Sequence, residues 1–168
     1  MDYRQYVDFF KSRCGESGFA ITEDVQIGDL ACDVVAHKEG FELTRFGNAV
    51  YFYFLARRPS LSVEQLTDLS AACHAYALQN RRNKLPIGFF NGVFTFPFFC
   101  CEAASEETAR FAEQYRPTHW SAQEFPVVVD LSTGDAHYFQ KTPLWGAAYY
   151  RRSREIAADL TTPLRSQR

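Results

Sequence analysis

No uncharged apolar run in this sequence reaches the roughly 18 residues that a membrane-spanning helix needs. The nearest approach is IGFFNGVFTFPFFCC at 87–101, a stretch that includes Asn91, Pro97 and two glycines. As a helix it would rise roughly 22 Å, short of a hydrocarbon core of roughly 30 Å, so no membrane partner is expected. The opening MDYRQYVDFFKSRCGES has no apolar centre and carries Asp2 and Asp8 early, so no signal peptide is expected. The five cysteines, Cys14, Cys32, Cys73, Cys100 and Cys101, are odd in number and contain no C-x-x-C. That pattern predicts reduced thiols in a cytoplasmic protein rather than a disulfide framework. Strand alternation puts the adjacent Cys100 and Cys101 on opposite faces, which predicts ordinary buried thiols.

Catalytic and metal signatures are also missing. There is no P-loop, no G-x-G-x-x-G and no G-x-S-x-G. The four histidines, His37, His74, His119 and His137, include no i, i+4 pair, no H-x-H and no H-E-x-x-H, so neither a metal nor a cofactor is expected. Cys73 and His74 are neighbours on a helix and point apart, which argues against a nucleophilic pair. His37 and His137 are the one pair that strand placement can bring together across the sheet. The net charge of −2 argues against nucleic-acid binding. Basic clusters at Arg57-Arg58, Arg81-Arg82-Lys84 and Arg151-Arg152-Arg154 read as solvated element ends and helix faces. No repeat, low-complexity tract or linker interrupts the chain, so residues 1–168 form one domain.

Aromatic residues are abundant: 16 Phe, 9 Tyr and 2 Trp bring the aromatic share to 16%. These side chains bury large areas, so a thick core is expected. The pattern predicts a helix over 2–14, with Asp2 and Gln5 as its capping box and Tyr6, Val7, Phe10 and Cys14 on one face. Residues 22–29, TEDVQIGD, read as acidic and irregular. LACDVVAH alternates, with Leu30, Cys32, Val34 and Ala36 on one side. Lys38-Glu39-Gly40 is a turn signal, FELTRF a second strand, Gly47-Asn48 another turn, and VYFYFLA a strand apolar on both faces and therefore central. Ser62 and Gln65 cap a helix to residue 80, flanked by a Leu61–Leu66 staple. The 87–101 run then reads as a strand with one face in the core, at an edge or bulged at Pro97 because proline cannot donate to a ladder. Its glycines predict a close approach of backbone or ligand there. Ser105 caps a short helix, PVVVDLSTGDAHYF is a hairpin turning at Gly134, and Thr142-Pro143 open a last helix striped by Trp145, Tyr149, Arg152, Ile156 and Leu160. Residues 161–168 read as a frayed tail.

The expected fold is therefore α+β, a mixed or antiparallel sheet of about five to six strands flanked by four helices. The order of the first six elements resembles the restriction-endonuclease-like core. That resemblance implies a carboxylate on one strand and an E-x-K on the next, holding a divalent metal. Asp33 fits the first position. Glu42-Leu43-Thr44 lacks the lysine, and Arg45 is too basic to accept a proton, so the resemblance comes without its active site. Candidate ligand-binding residues are Asp33, His37 and Glu42 on the strands and Trp145, Tyr149 and Arg152 on the last helix. The expected function is a non-enzymatic association module, most simply a homodimer that covers surplus aromatic surface. Phe89 and Phe99 on the mixed face of the 87–101 strand, and Tyr149 and Tyr150 of the last helix, are expected to be partly exposed in a single chain. The alternative is an enzyme or ligand-binding protein with a pocket between the sheet and the 143–160 helix.

Overall fold

The computed structural model describes residues 2–43, 47–88, 90–117, 119, 121–142 and 147–165. Among them are four helices and one seven-stranded mixed sheet, an α+β architecture. The first helix, α1 (Tyr3–Glu16), starts at the expected capping box: Asp2 Oδ1 accepts from the Gln5 N–H at 2.8 Å and Gln5 Oε1 from the Asp2 N–H at 3.2 Å. Tyr6, Phe10 and Cys14, four residues apart, are its buried face.

Three strands follow, but not the three that the pattern picks out. The acidic 20–27 stretch is a strand, β1 (Ala20–Ile27), paired antiparallel to β2 (Leu30–Glu42). As the edge strand it keeps Glu23 and Asp24 exposed, which is why acidity did not prevent pairing. The 38–40 segment does not turn. It lies inside β2, where Lys38, Glu39 and Gly40 pair with Tyr51, Val50 and Ala49 of β3 (Gly47–Arg58). FELTRF is thus the end of one long strand, not a strand of its own; residues 44–46 of it lie outside the described residues. The core-facing side of β2 also switches midway. Leu30 and Cys32 join one core layer and Val34 and Ala36 the other. The switch falls at Asp33, opposite Asp24, whose φ of 53° interrupts the pairing.

A capping box at Ser62 and Gln65 opens α2 (Val63–Asn80), with Leu61 and Leu66 both buried as a staple requires. The crossover through α2 returns the chain to β4 (Asn91–Cys101), which runs parallel to β3. Then come α3 (Glu106–Ala112), capped by Ser105, the short β5 (Ala122–Glu124), the hairpin of β6 (Val127–Asp130) and β7 (Asp135–His137), and α4 (Ala147–Arg165). The strand order is β1-β2-β3-β4-β6-β7, with β5 also on β4. One core layer joins Tyr6, Phe10, Tyr53, Phe98 and Leu160, under α1 and α4; the other joins Phe52, Phe54, Leu66, Cys73 and Phe99, under α2 and α3.

Two expectations for β4 are overturned. All eleven of its residues are buried, because helices of the same chain cover both faces. Phe99 is therefore core, not exposed aromatic surface; Phe89 lies outside the described residues. Nor is β4 an edge strand at Pro97. It lies centrally, with Pro97 in register with Phe54 on one side. On the other side, β5 pairs with Val93–Thr95 and β6 with Phe98–Cys101. The Thr95 and Cys101 carbonyls turn to that second side, accepting from Phe125 and Leu131 at 2.9 Å each. Alternation points residue 97 the same way, so the missing N–H falls in the break between the two partners.

The last helix is rotated from its expected stripe. Its buried residues are Ser153, Ala157, Leu160, Thr161 and Leu164; Tyr149 and Arg152 are exposed and Ile156 half-buried. Small side chains let the helix approach the sheet, and the hydroxyls of Ser153 and Thr161 satisfy themselves on the carbonyls four residues back, Tyr149 at 2.9 Å and Ala157 at 2.8 Å. Of the expected frayed tail, residues 161–165 are instead the last turn of α4, with Thr161 and Leu164 buried, and 166–168 lie outside the described residues. The Pro143 start and Trp145 lie outside the described residues. No helix among the described residues is long and apolar enough to cross a membrane.

The β6–β7 turn is organised by Asp130. Its Oδ1 accepts from Ser132 N at 2.8 Å, Ser132 Oγ at 2.6 Å and Thr133 N at 3.0 Å, and Oδ2 from Ala104 N at 3.0 Å. Burial pushes this carboxyl's pKa up, but the Ser132 hydroxyl and the three N–H groups outweigh it and hold the pKa below the ordinary carboxylate range. A folded pKa below the unfolded value of about 3.9 means that the contribution is fully present above that value. It is lost as pH falls through the folded pKa. Asp130→Asn is expected to cost about 1–3 kcal/mol at pH 7 and to flatten the acid limb of the stability curve. Urea midpoints at pH 7 and pH 3 measure both; an equal loss at the two pH values would contradict the assignment.

Candidate functional site

The residues singled out in the sequence separate into different places. Asp33 is half-buried and accepts the Tyr3 hydroxyl at 2.7 Å, tying α1 to the sheet. Burial, with Cys100 and Asp33 adding to it, holds the Tyr3 hydroxyl well above its ordinary pKa. His37 stacks on Phe52 at 4.2 Å, and its Nε2 meets Glu39 Oε1 at 2.7 Å. Glu39 also accepts the backbone N–H groups of Arg82 and Asn83, anchoring the chain after α2 onto β2. Burial raises the Glu39 pKa, but these N–H groups and His37 together bring it below the usual range. His37 and His137 do not meet: β3, β4 and β6 separate their strands, and His137 pairs with Glu113 at 2.9 Å.

Glu42 and Arg152 do come together, with 3.4 Å between Oε1 and Nη2, and the guanidinium lies 5.9 Å from the centre of the Tyr51 ring. This is how the charge inside the expected apolar stripe of α4 is accommodated. Tyr149 stacks on Phe94 nearby at 6.3 Å. Between the sheet, α1 and α4 lies a cleft of about 230 Å³ whose lining includes Arg13, Lys38, Glu42, Tyr51, Arg152 and Asp159. Its charges are engaged within the chain. Arg13 grips Asp159 with two bonds of 2.8 Å, and Lys38 donates to the Ser17 carbonyl at 2.7 Å. Several members of the basic clusters are similarly occupied: Arg57 on Glu102, Arg151 on Glu155 at 3.0 Å, and Arg154 on the Lys141 carbonyl at 3.0 Å.

All five cysteines are free and buried. Burial, with Asp159 beside it, pushes the Cys14 thiol up to about 12, and burial with Asp130 nearby pushes Cys101 up to about 11. Protonated, enclosed thiols are poor nucleophiles.

One gathering of polar side chains in the interior is not suggested by the sequence pattern. It lies on the α2 side of the sheet. Ser70 and His74, one turn apart on α2, face Thr95 of β4 and Glu124 of β5, and His119 closes over them. Ser70, His74, Thr95 and Glu124 are buried, while His119 is exposed. The two imidazoles stack at 4.6 Å with 18° between planes. Ser70 Oγ donates to Glu124 Oε2 at 2.8 Å, and His119 Nε2 meets Oε1 of the same carboxylate. Burial lowers the His74 pKa and His119 adds to that, with Glu124 opposing. Spacing rules missed this cluster because its histidines sit on different elements. The available signal was the Ser70–His74 step, one helical turn apart within an otherwise apolar face.

No protein-family model, curated protein or solved structure matches this chain.

Proposed function

We propose that the protein is an association module that pairs with a second copy of itself through one end of its sheet. The observation that carries this reading is the placement of four of the five exposed large hydrophobic residues among those described, Tyr149 being the fifth. Phe41 and Leu43, at the end of β2, are 62% and 76% exposed; Leu85 and Phe90, in the segment before β4, are 55% and 71% exposed. Both segments lie at the same end. Glu39 holds Arg82 and Asn83, and Asn48 N donates to the Phe90 carbonyl at 2.8 Å. Isolated exposed hydrophobic residues are ordinary, but several together on one surface mark an interface. A second copy suits this end because a two-fold axis sets the same patch against itself, so each exposed apolar side chain is covered by its counterpart region. The β1 edge is a poor alternative, since Glu23 and the break at Asp24 blunt strand-to-strand pairing. The cleft beside α4 supports the ligand-binding alternative less well, because its charged groups already have partners.

Light scattering at micromolar concentration tests the reading. The expected mass is twice 19.3 kDa, returning to the single-chain value in Leu43→Glu and in Phe90→Glu. A parent mass of 19.3 kDa throughout that range, or a dimer untouched by both substitutions, would overturn it.

A further inference from the structure

We propose that His74, His119 and Glu124 form a binding site for one divalent transition-metal ion. This goes beyond the association reading and is independent of it. The three side chains come from α2, from the segment before β5 and from β5 itself, and one ligand atom from each lies within 4.8 Å of the other two. A single ion with bonds of about 2.0–2.2 Å holds its ligand atoms no more than about 4.4 Å apart, so these three need only a small contraction to share one.

The surrounding hydrogen bonds orient these atoms as a metal site requires. The Thr95 hydroxyl has one proton and directs it to the Gln123 carbonyl, at 3.1 Å. Toward His74 Nδ1, 3.2 Å away, Thr95 Oγ1 is therefore an acceptor. That bond fixes the proton of the neutral imidazole on Nδ1 and leaves Nε2 with a lone pair. A ligating histidine is typically held through its second nitrogen in this way. Ser70 does the corresponding job for the carboxylate by occupying Oε2, while Oε1 faces His119, whose direct contact with it gives way when an ion enters between them.

An ordinary buried ion pair explains less. Glu124 is already satisfied by Ser70 and His119, so a second imidazole stacked on the first adds a donor atom that the pair does not need. Two imidazole nitrogens and one carboxylate oxygen suit zinc, cobalt, nickel or ferrous iron. They do not suit calcium or magnesium, which prefer all-oxygen shells. Three protein ligands leave at least one coordination position open, and the exposed His119 marks the side from which it is reached.

The test uses the full chain, stripped with a chelator and titrated with zinc by calorimetry and with cobalt by visible absorption. We expect one equivalent of zinc bound with Kd below about 1 µM, and a cobalt ligand-field band that appears over the same titration. His119→Ala removes an exposed ligand without opening the core. It is expected to weaken binding by at least about tenfold and to change the cobalt spectrum. Glu124→Gln should do the same, whereas His137→Ala, at a histidine elsewhere on the sheet, should bind as the parent does. No zinc binding by the folded parent would overturn the site. So would unaltered binding in His119→Ala, or magnesium competing equally with zinc.

Discussion

Phe98→Ala is expected to lower the free energy of unfolding by about 3–5 kcal/mol. Phe98 is fully buried at the middle of β4. Its ring meets Phe10 of α1 edge-on, 5.2 Å between centres and 74° between planes. In the sheet it lies between Leu55 of β3 and Val127 of β6. Truncation removes one of the apolar contacts that join α1 to the sheet and leaves a cavity beside three hydrogen-bonded strands, which cannot collapse to fill it. Guanidinium unfolding followed by circular dichroism measures the effect. A loss below about 1.5 kcal/mol would mean that α1 settles into the space, contrary to a helix fixed at its N-terminus by a capping box.

Gly134→Val is expected to be of similar severity, about 3 kcal/mol or more, for a different reason. Gly134 has φ of 74°, and a Cβ built there would lie 2.4 Å from the Leu164 carbonyl oxygen. A β-branched side chain meets both penalties: a left-handed backbone conformation, and a clash with the main chain of the last turn of α4. Gly134→Ala carries the same Cβ and meets both penalties without the branch. Backbone strain alone costs about 1 kcal/mol, so a larger loss in the alanine variant reports the clash. Thermal melts of the two variants, with hydrogen exchange at the amides of 161–165, distinguish the causes. An alanine variant as stable as the parent would show that α4 does not bear on this turn.

Gly134, the caps at Asp2, Ser62 and Ser105 and the staple at Leu61 were legible in the sequence because each is decided within a few residues. Features that depend on a second or third neighbour were not. The β1 strand is acidic and becomes ordered only because β2 lies beside it. The 38–40 segment carries a turn signal, but its pairing with Ala49, Val50 and Tyr51 keeps it extended. The contact face of α4 consists largely of serine, alanine and threonine, so a search for hydrophobic residues chose the neighbouring face. The expected exposure of Phe99 failed for the same reason: a single strand does not reveal how many helices will cover it. Of the residues proposed for ligand binding, Glu42 and Arg152 do form a contact, whereas Asp33 and His37 brace the fold. His74, His119 and Glu124 come from parts of the chain that no local spacing rule connects.

The break opposite Pro97 divides the far side of β4 into two separate zippers. One is the short ladder with β5, which carries Glu124; the other is the ladder with β6 and, through it, the β7 hairpin. No backbone hydrogen bond is shared between them at residue 97, so opening one ladder removes no bond from the other. Fraying that starts near His119 would end at the proline. The segment bearing two of the proposed metal ligands can thus loosen or tighten around an occupant without unpicking the rest of the sheet.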